Sequence, residues 1–137
     1  MAQTSIITLK TSDLLDRKTL CYLRGRSEFV SSLLVIHAWS IIVLAMMLFF
    51  FFPNPLTYVL AVMLIGARQL GLAVIMHDAA HNALSRNHDF NDILSNLFCA
   101  YPLFARTEIY RRYHLKHHRY TQQEEDPDLV LSKPFPI

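Results

Sequence analysis

Between Phe29 and Ala67 the sequence has no aspartate, glutamate, lysine or arginine. A stretch of that length without charge excludes an ordinary solvated surface. A membrane-spanning helix needs ~20 mostly apolar residues, so the stretch has room for two. Cysteine is scarce. Cys21 and Cys99 form no C-x-x-C pair and fall on the reducing side of the topology derived below, which argues against a disulfide framework or a zinc–thiolate site. Charge imbalance is also missing: a net charge of +2 is too small to suggest nucleic acid as a partner. Met1 to Glu28 is mixed and charged, without a short apolar core leading to a small-residue cleavage site, so no cleavable signal peptide is expected. Beyond the acidic Glu124-Glu125-Asp126 there is no low-complexity run, and no internal repeat other than two unequal histidine groups.

What is present is a membrane pattern. The reading predicts an all-α, integral membrane chain with one transmembrane hairpin, followed by cytoplasmic or interfacial helices. The first span runs from about Val30 to Phe52 and the second from about Leu56 to Met76. Pro53-Asn54-Pro55 forms the turn, because its prolines cannot continue a helix. Arg17, Lys18, Arg24 and Arg26 precede the first span, the turn carries no basic residue, and Arg86, Arg106, Arg111, Arg112, Lys116 and Arg119 follow the second. The positive-inside rule therefore places both ends of the hairpin in the cytoplasm. Ser12 or Asp13 is a candidate cap for a short surface helix bearing Leu14, Leu15 and Leu20. Ile93 to Ala105, apolar but interrupted by Asn96 and Pro102, is too short for a third span and reads as interfacial or re-entrant.

Histidine carries the chemistry. His77 and His81 lie in H-D-A-A-H, and His114, His117 and His118 in H-L-K-H-H. Residues three and four apart share a helix face, so each group can present half of a metal site on the cytoplasmic side. His37, inside the first span, reads instead as a packed or hydrogen-bonded group facing another helix. His88 reads as structural, because Ser85, Asn87 and Asp89 suggest that the helix carrying His81 has ended. Arg68 and Gln69 sit deep in the second apolar stretch, where snorkelling of Arg68 to the headgroups is favoured over pairing inside the protein. Asp78 is either a carboxylate orienting a ligating imidazole or a surface charge. Glu124 to Asp128 reads as a solvated loop with Asp126-Pro127-Asp128 as a turn.

Imidazoles without cysteine suit iron, copper, zinc or nickel, and five of them exceed what one tetrahedral zinc requires, so two metals are implied. Beside a membrane, such a site suggests oxygen activation on an apolar chain delivered by the bilayer, and iron supplies the oxidising power that side chains lack.

The motifs H-D-A-A-H after a second span, then Y-H-L-K-H-H-R-Y-T-Q and D-P-D, resemble the first two histidine boxes of the integral-membrane fatty acid desaturase and hydroxylase superfamily. The resemblance implies that His77, His81, His114, His117 and His118 are ligands of two non-haem iron ions on the cytoplasmic side. It further implies dioxygen as co-substrate, a fatty acyl lipid substrate, and an electron donor that is a ferredoxin or a b-type cytochrome. Residues 1–29 become a cytoplasmic N-terminal segment and residues 30–137 the N-terminal part of a desaturase domain. That superfamily carries a second hairpin and a third box, whereas no histidine follows His118. The chain is thus expected to be a fragment, inactive by itself. A membrane hydroxylase of the same superfamily is the alternative. An intramembrane zinc metalloprotease is a further one, since H-D-A-A-H is one substitution from H-E-x-x-H, but it leaves H-L-K-H-H unexplained.

Overall fold

A computed structural model describes residues 14–23 and 25–129. Among the described residues the chain is entirely helical: α1 (Arg17–Leu23), α2 (Glu28–Phe51), α3 (Pro55–Ala80), α4 (His88–Ser95), a π-helical turn (Asn96–Ala100), a 3-10 turn (Tyr101–Leu103) and α5 (Thr107–Tyr120). Ser12 and Asp13 lie outside the described residues. The short N-terminal helix is capped by Asp16, whose carboxylate accepts from the backbone N–H groups of Lys18 and Thr19, so Leu14 and Leu15 precede it.

Both ends of the long hairpin are written in side chains. Ser27 Oγ accepts from Val30 N at 3.3 Å and starts α2. In the Pro-Asn-Pro turn, Asn54 Oδ1 accepts from Leu56 N and Thr57 N, while Thr57 Oγ1 accepts from Asn54 N at 3.2 Å. This is a reciprocal capping box with Pro55 at the first helical position, where its missing N–H costs nothing. Val35, Ala38, Ile42 and Ala45 recur on one face of α2 and are buried together with Ala61, Leu72, Ile75 and Met76 of α3. The alanines let the two helices approach closely. The outer faces are apolar too: Leu34, Leu44, Phe50, Val59 and Met63 are all exposed. With 24 and 26 residues, α2 and α3 are long and apolar enough to cross a membrane. His37 is exposed rather than packed against another helix, because the buried stripe of α2 runs through Val35 and Ala38 and leaves position 37 outside it. Arg68 is half-buried and has no ion-pair partner among the described residues.

The helix carrying the first histidine group stops where the sequence suggests. Asn82 adopts φ 54°, Asn82 N donates to Ala79 O at 2.9 Å and Ala83 N to Asp78 O at 2.9 Å, a Schellman closure with asparagine in the left-handed position. Asn87 then caps α4, accepting from Asp89 N and Phe90 N. Ser31 Oγ donates to Leu84 O and Trp39 Nε1 to Phe98 O, both at 2.9 Å, which ties α2 to the segment returning beneath the hairpin. The interruption at Asn96 has a structural use. Its Oδ1 accepts from Thr107 N at 2.9 Å and its Nδ2 donates to Glu108 at 2.8 Å, so the start of α5, which Arg106 does not cap, is capped from the π-helical turn.

Candidate metal centre

α3 and α5 bring four of the five boxed histidines together. The side-chain ligand atoms of His77, His81, His114 and His118 lie within 4.8 Å of one another. His81 Nε2 and His118 Nε2 each stand 2.9 Å from His114 Nε2. The rings meet edge to face, with centroids 4.5 Å apart for His77 and His114 and 4.9 Å for His77 and His81. Tyr110, one turn before His114, stacks on its imidazole at 5.3 Å.

The donor set fits a cation. A ring nitrogen offers one in-plane position, either an N–H or a lone pair. His114 Nε2 therefore cannot make proper hydrogen bonds to both neighbours, whereas lone pairs converging on one ion satisfy all of them. Nitrogens around an ion with bonds of ~2.0–2.1 Å lie ~3.3 Å apart in a tetrahedron, close to the observed spacing. Electrostatics point the same way. Burial, and then repulsion from His77, His118, His81 and His117, pushes the His114 pKa down to about 4. Burial and the neighbouring His77 and His118 also hold His81 below its ordinary value of 6.5. Neutral imidazole is the form that binds metal.

His117 takes a different place. Its Nδ1 is 2.8 Å from Asp126 Oδ1 and 3.2 Å from Asp128 Oδ2, and its ring lies 6.3 Å from that of His114. The Asp126 hydrogen bond raises the His117 pKa. The acidic stretch is therefore not simply a solvated loop. Asp126 is only 3% exposed and also accepts from Gln122 N and Asp128 N at 2.9 Å, because the Asp-Pro-Asp turn folds back onto α5. Burial alone would raise the Asp126 carboxyl, but the hydrogen bonds from His117 and these amides outweigh it and hold the group low. Held at Nδ1, His117 keeps Nε2 available. Asp78 makes a similar, exposed contact with His77 Nδ1 at 3.2 Å. His88 lies away from the cluster and hydrogen-bonds to Asn82 at 3.1 Å. Cys99 is fully buried and its thiol is pushed up to about 12, which makes it inert at neutral pH.

Sequence reasoning assigned no site role to Asp92 and Asn91 and counted Arg111 only as a topological charge. Arg111 reaches the C-terminus of α3 and pairs with Asp92. Nothing in a basic residue three positions before His114 distinguishes it from its neighbour Arg112, which is exposed.

An all-helical chain with an imidazole cluster at the foot of a long apolar hairpin defines a class, and comparison with known proteins agrees. The model of the fatty acid desaturase family matches residues 53–136, and the chain belongs to that family of oxidoreductases. It is similar to the dihydrorhizobitoxine desaturase of Bradyrhizobium elkanii, with 54% identity over 74 residues covering 53% of this chain and 21% of that protein. The chain thus spans about a fifth of the length of that relative. No solved structure matches.

The electrostatics make a test of the metal-free site. His114 has a depressed pKa in the folded protein, so its contribution to stability is present above pH 6.5 and is lost as the pH falls toward about 4. His117 has the opposite sign: its raised pKa contributes stability that is present below 6.5 and is lost as the pH rises through the folded value. Histidine nitrogen resonances followed from pH 8 to pH 4 should show His117 protonating first and His114 last. Protonation of His114 near 6.5 would contradict the convergent geometry.

Proposed function

We propose that this segment supplies the first two histidine boxes of a membrane-bound, oxygen-dependent desaturase that works at a histidine-ligated di-iron centre. The observation that carries the reading is the meeting of His81, His114 and His118 at Nε2 with His77 beside them, drawn from two helices 33 residues apart at the closest pair. His77, His81, His114 and His118 would hold one face of the centre, with His117 presenting Nε2 beside them. When bound, iron with dioxygen supplies the oxidising power to remove hydrogen from an unactivated carbon chain. The chain's own part is to fix five imidazoles, to place them at the membrane surface where an apolar substrate emerges, and to orient His117 through Asp126. Electrons from a ferredoxin or b-type cytochrome would complete the reaction.

α2 and α3 are read as a hairpin across the bilayer, with the histidines on the cytoplasmic side. At ~1.5 Å per residue each helix is longer than the ~30 Å hydrocarbon core. Labelling should modify a cysteine placed near Asn54 from the outside and one near Arg119 from the cytoplasm. Modification of both from one side would overturn the hairpin.

A graft tests the catalytic reading. This chain's matching region replaces the corresponding 74 residues of the Bradyrhizobium elkanii desaturase, and the chimaera is assayed in membranes for that enzyme's product and for new double bonds in lipids. Product that needs dioxygen and a reductant supports the proposal. A folded chimaera without product, or one loaded with zinc in place of iron, counts against it. The relative's name puts dihydrorhizobitoxine beside fatty acyl lipids as a substrate to be tried.

A further inference from the structure

Arg111, on α5, is hydrogen-bonded to both of the other elements that flank the histidine groups, α3 and α4. Its Nε donates to Ala80 O at 3.1 Å and its Nη2 to Ala79 O at 2.9 Å, the last carbonyls of α3. Its Nη1 donates to Asp92 Oδ2 of α4 at 2.9 Å, and Nη2 also meets Asp92 Oδ1. Asn91, fully buried, donates through Nδ2 to the same Ala79 O at 3.0 Å and to Asp92 Oδ1 at 2.8 Å. The Arg111 and Asp92 side chains are only 20% and 26% exposed, and Ala79 and Ala80 are fully buried. The pair is therefore screened far less than a surface ion pair. The cation also sits where the helix dipole is negative.

Its position along the chain is what matters. Arg111 lies three residues, nearly one turn, before His114, and the carbonyls it holds lie between His77 and His81. We propose that Arg111, locked by Asp92, is a positioning residue that sets the separation of α3 and α5, so that the imidazoles of the two histidine groups converge. The proposal rests on reading the quartet as a metal site. A guanidinium is needed because its planar fork can serve two carbonyls and a carboxylate together, whereas a lysine ammonium on a flexible stem cannot hold that geometry. The 2.9 Å contacts at His114 Nε2 show how little play the arrangement has.

The test reads helix separation and metal binding independently. Spin labels go on Met63 of α3 and Ile109 of α5, both exposed, with Cys21→Ser to remove the exposed thiol. Without metal, the parent should give one narrow distance distribution, broadened or shifted in Arg111→Ala and Arg111→Lys, and less so in Asp92→Asn, which keeps one acceptor oxygen. Should Arg111→Ala fail to fold, the lysine and asparagine variants decide. Cobalt(II) is then titrated. Arg111→Lys should bind ~10–100-fold more weakly, as for loss of a group that orients metal ligands, with an altered d–d spectrum and unchanged helicity. A parental distance distribution in Arg111→Lys overturns the proposal. So does weaker cobalt binding that merely follows loss of helicity with the parental d–d spectrum. If the parent itself takes up no cobalt, the metal-site reading fails, and the spin-label distances alone decide the role of Arg111.

Discussion

His114→Ala is expected to lower cobalt(II) or iron(II) affinity by more than ~100-fold, beyond the range seen when only a supporting group is lost. The reason is its central place: His81 Nε2 and His118 Nε2 both point at His114 Nε2, and the His77 ring lies closer to His114 than to His81. Removing it takes away one donor and the atom around which the others are arranged. His117→Ala should behave differently. Its ring lies 6.3 Å from His114 and Asp126 holds its Nδ1, so its loss should reduce the amount of metal bound while the quartet still fills. His37→Ala and His88→Ala should leave metal content unchanged, since one is exposed on α2 and the other is bonded to Asn82. Metal analysis and visible titration of cobalt-loaded protein in detergent read all four variants. Parental affinity in His114→Ala would remove the quartet from consideration as a metal site.

Much of this arrangement was legible in the sequence because it depends on local rules. The charge-free run and the Pro-Asn-Pro turn announce two long helices, and the structure places α2 at Glu28–Phe51 and α3 at Pro55–Ala80. Spacing alone pairs His77 with His81, and His114 with both His117 and His118. What the sequence could not supply were contacts between distant positions. His117 and His118 look alike as neighbours in one motif, yet they sit about 100° apart around α5, so only His118 joins the quartet while the other meets a carboxylate nine residues away. The Asp-Pro-Asp turn looks solvated until its return onto α5 is known. Arg111 looks like one more cytoplasmic charge until its bonds to Ala79, Ala80 and Asp92 appear. His37 failed for a related reason: helix periodicity identifies a face but does not say which face meets α3.

Asn91→Leu should be strongly destabilising. Asn91 is fully buried and similar to leucine in size, so the substitution leaves no large cavity, and its cost lies in polar groups deprived of partners. Asn91 Oδ1 accepts from Leu84 N at 3.3 Å, and its Nδ2 donates to Ala79 O and Asp92 Oδ1. Ala79 O keeps Arg111 and Asn82 as donors, but the buried Leu84 amide loses its acceptor and Asp92 loses one of its donors. At ~1–3 kcal/mol for each of these two deprived groups, the total is about 2–6 kcal/mol. Asn91→Asp should also destabilise: it restores the acceptor for Leu84 N but sets a second carboxylate beside Asp92. Unfolding in detergent followed by circular dichroism measures the total. Hydrogen exchange localises it, and the Leu84 amide should exchange at least ~30-fold faster, as expected for a change of 2 kcal/mol or more. An Asn91→Leu protein that unfolds within ~0.5 kcal/mol of the parent, with Leu84 still protected, would mean that the link between α3 and α4 is held by apolar packing and not by this side chain.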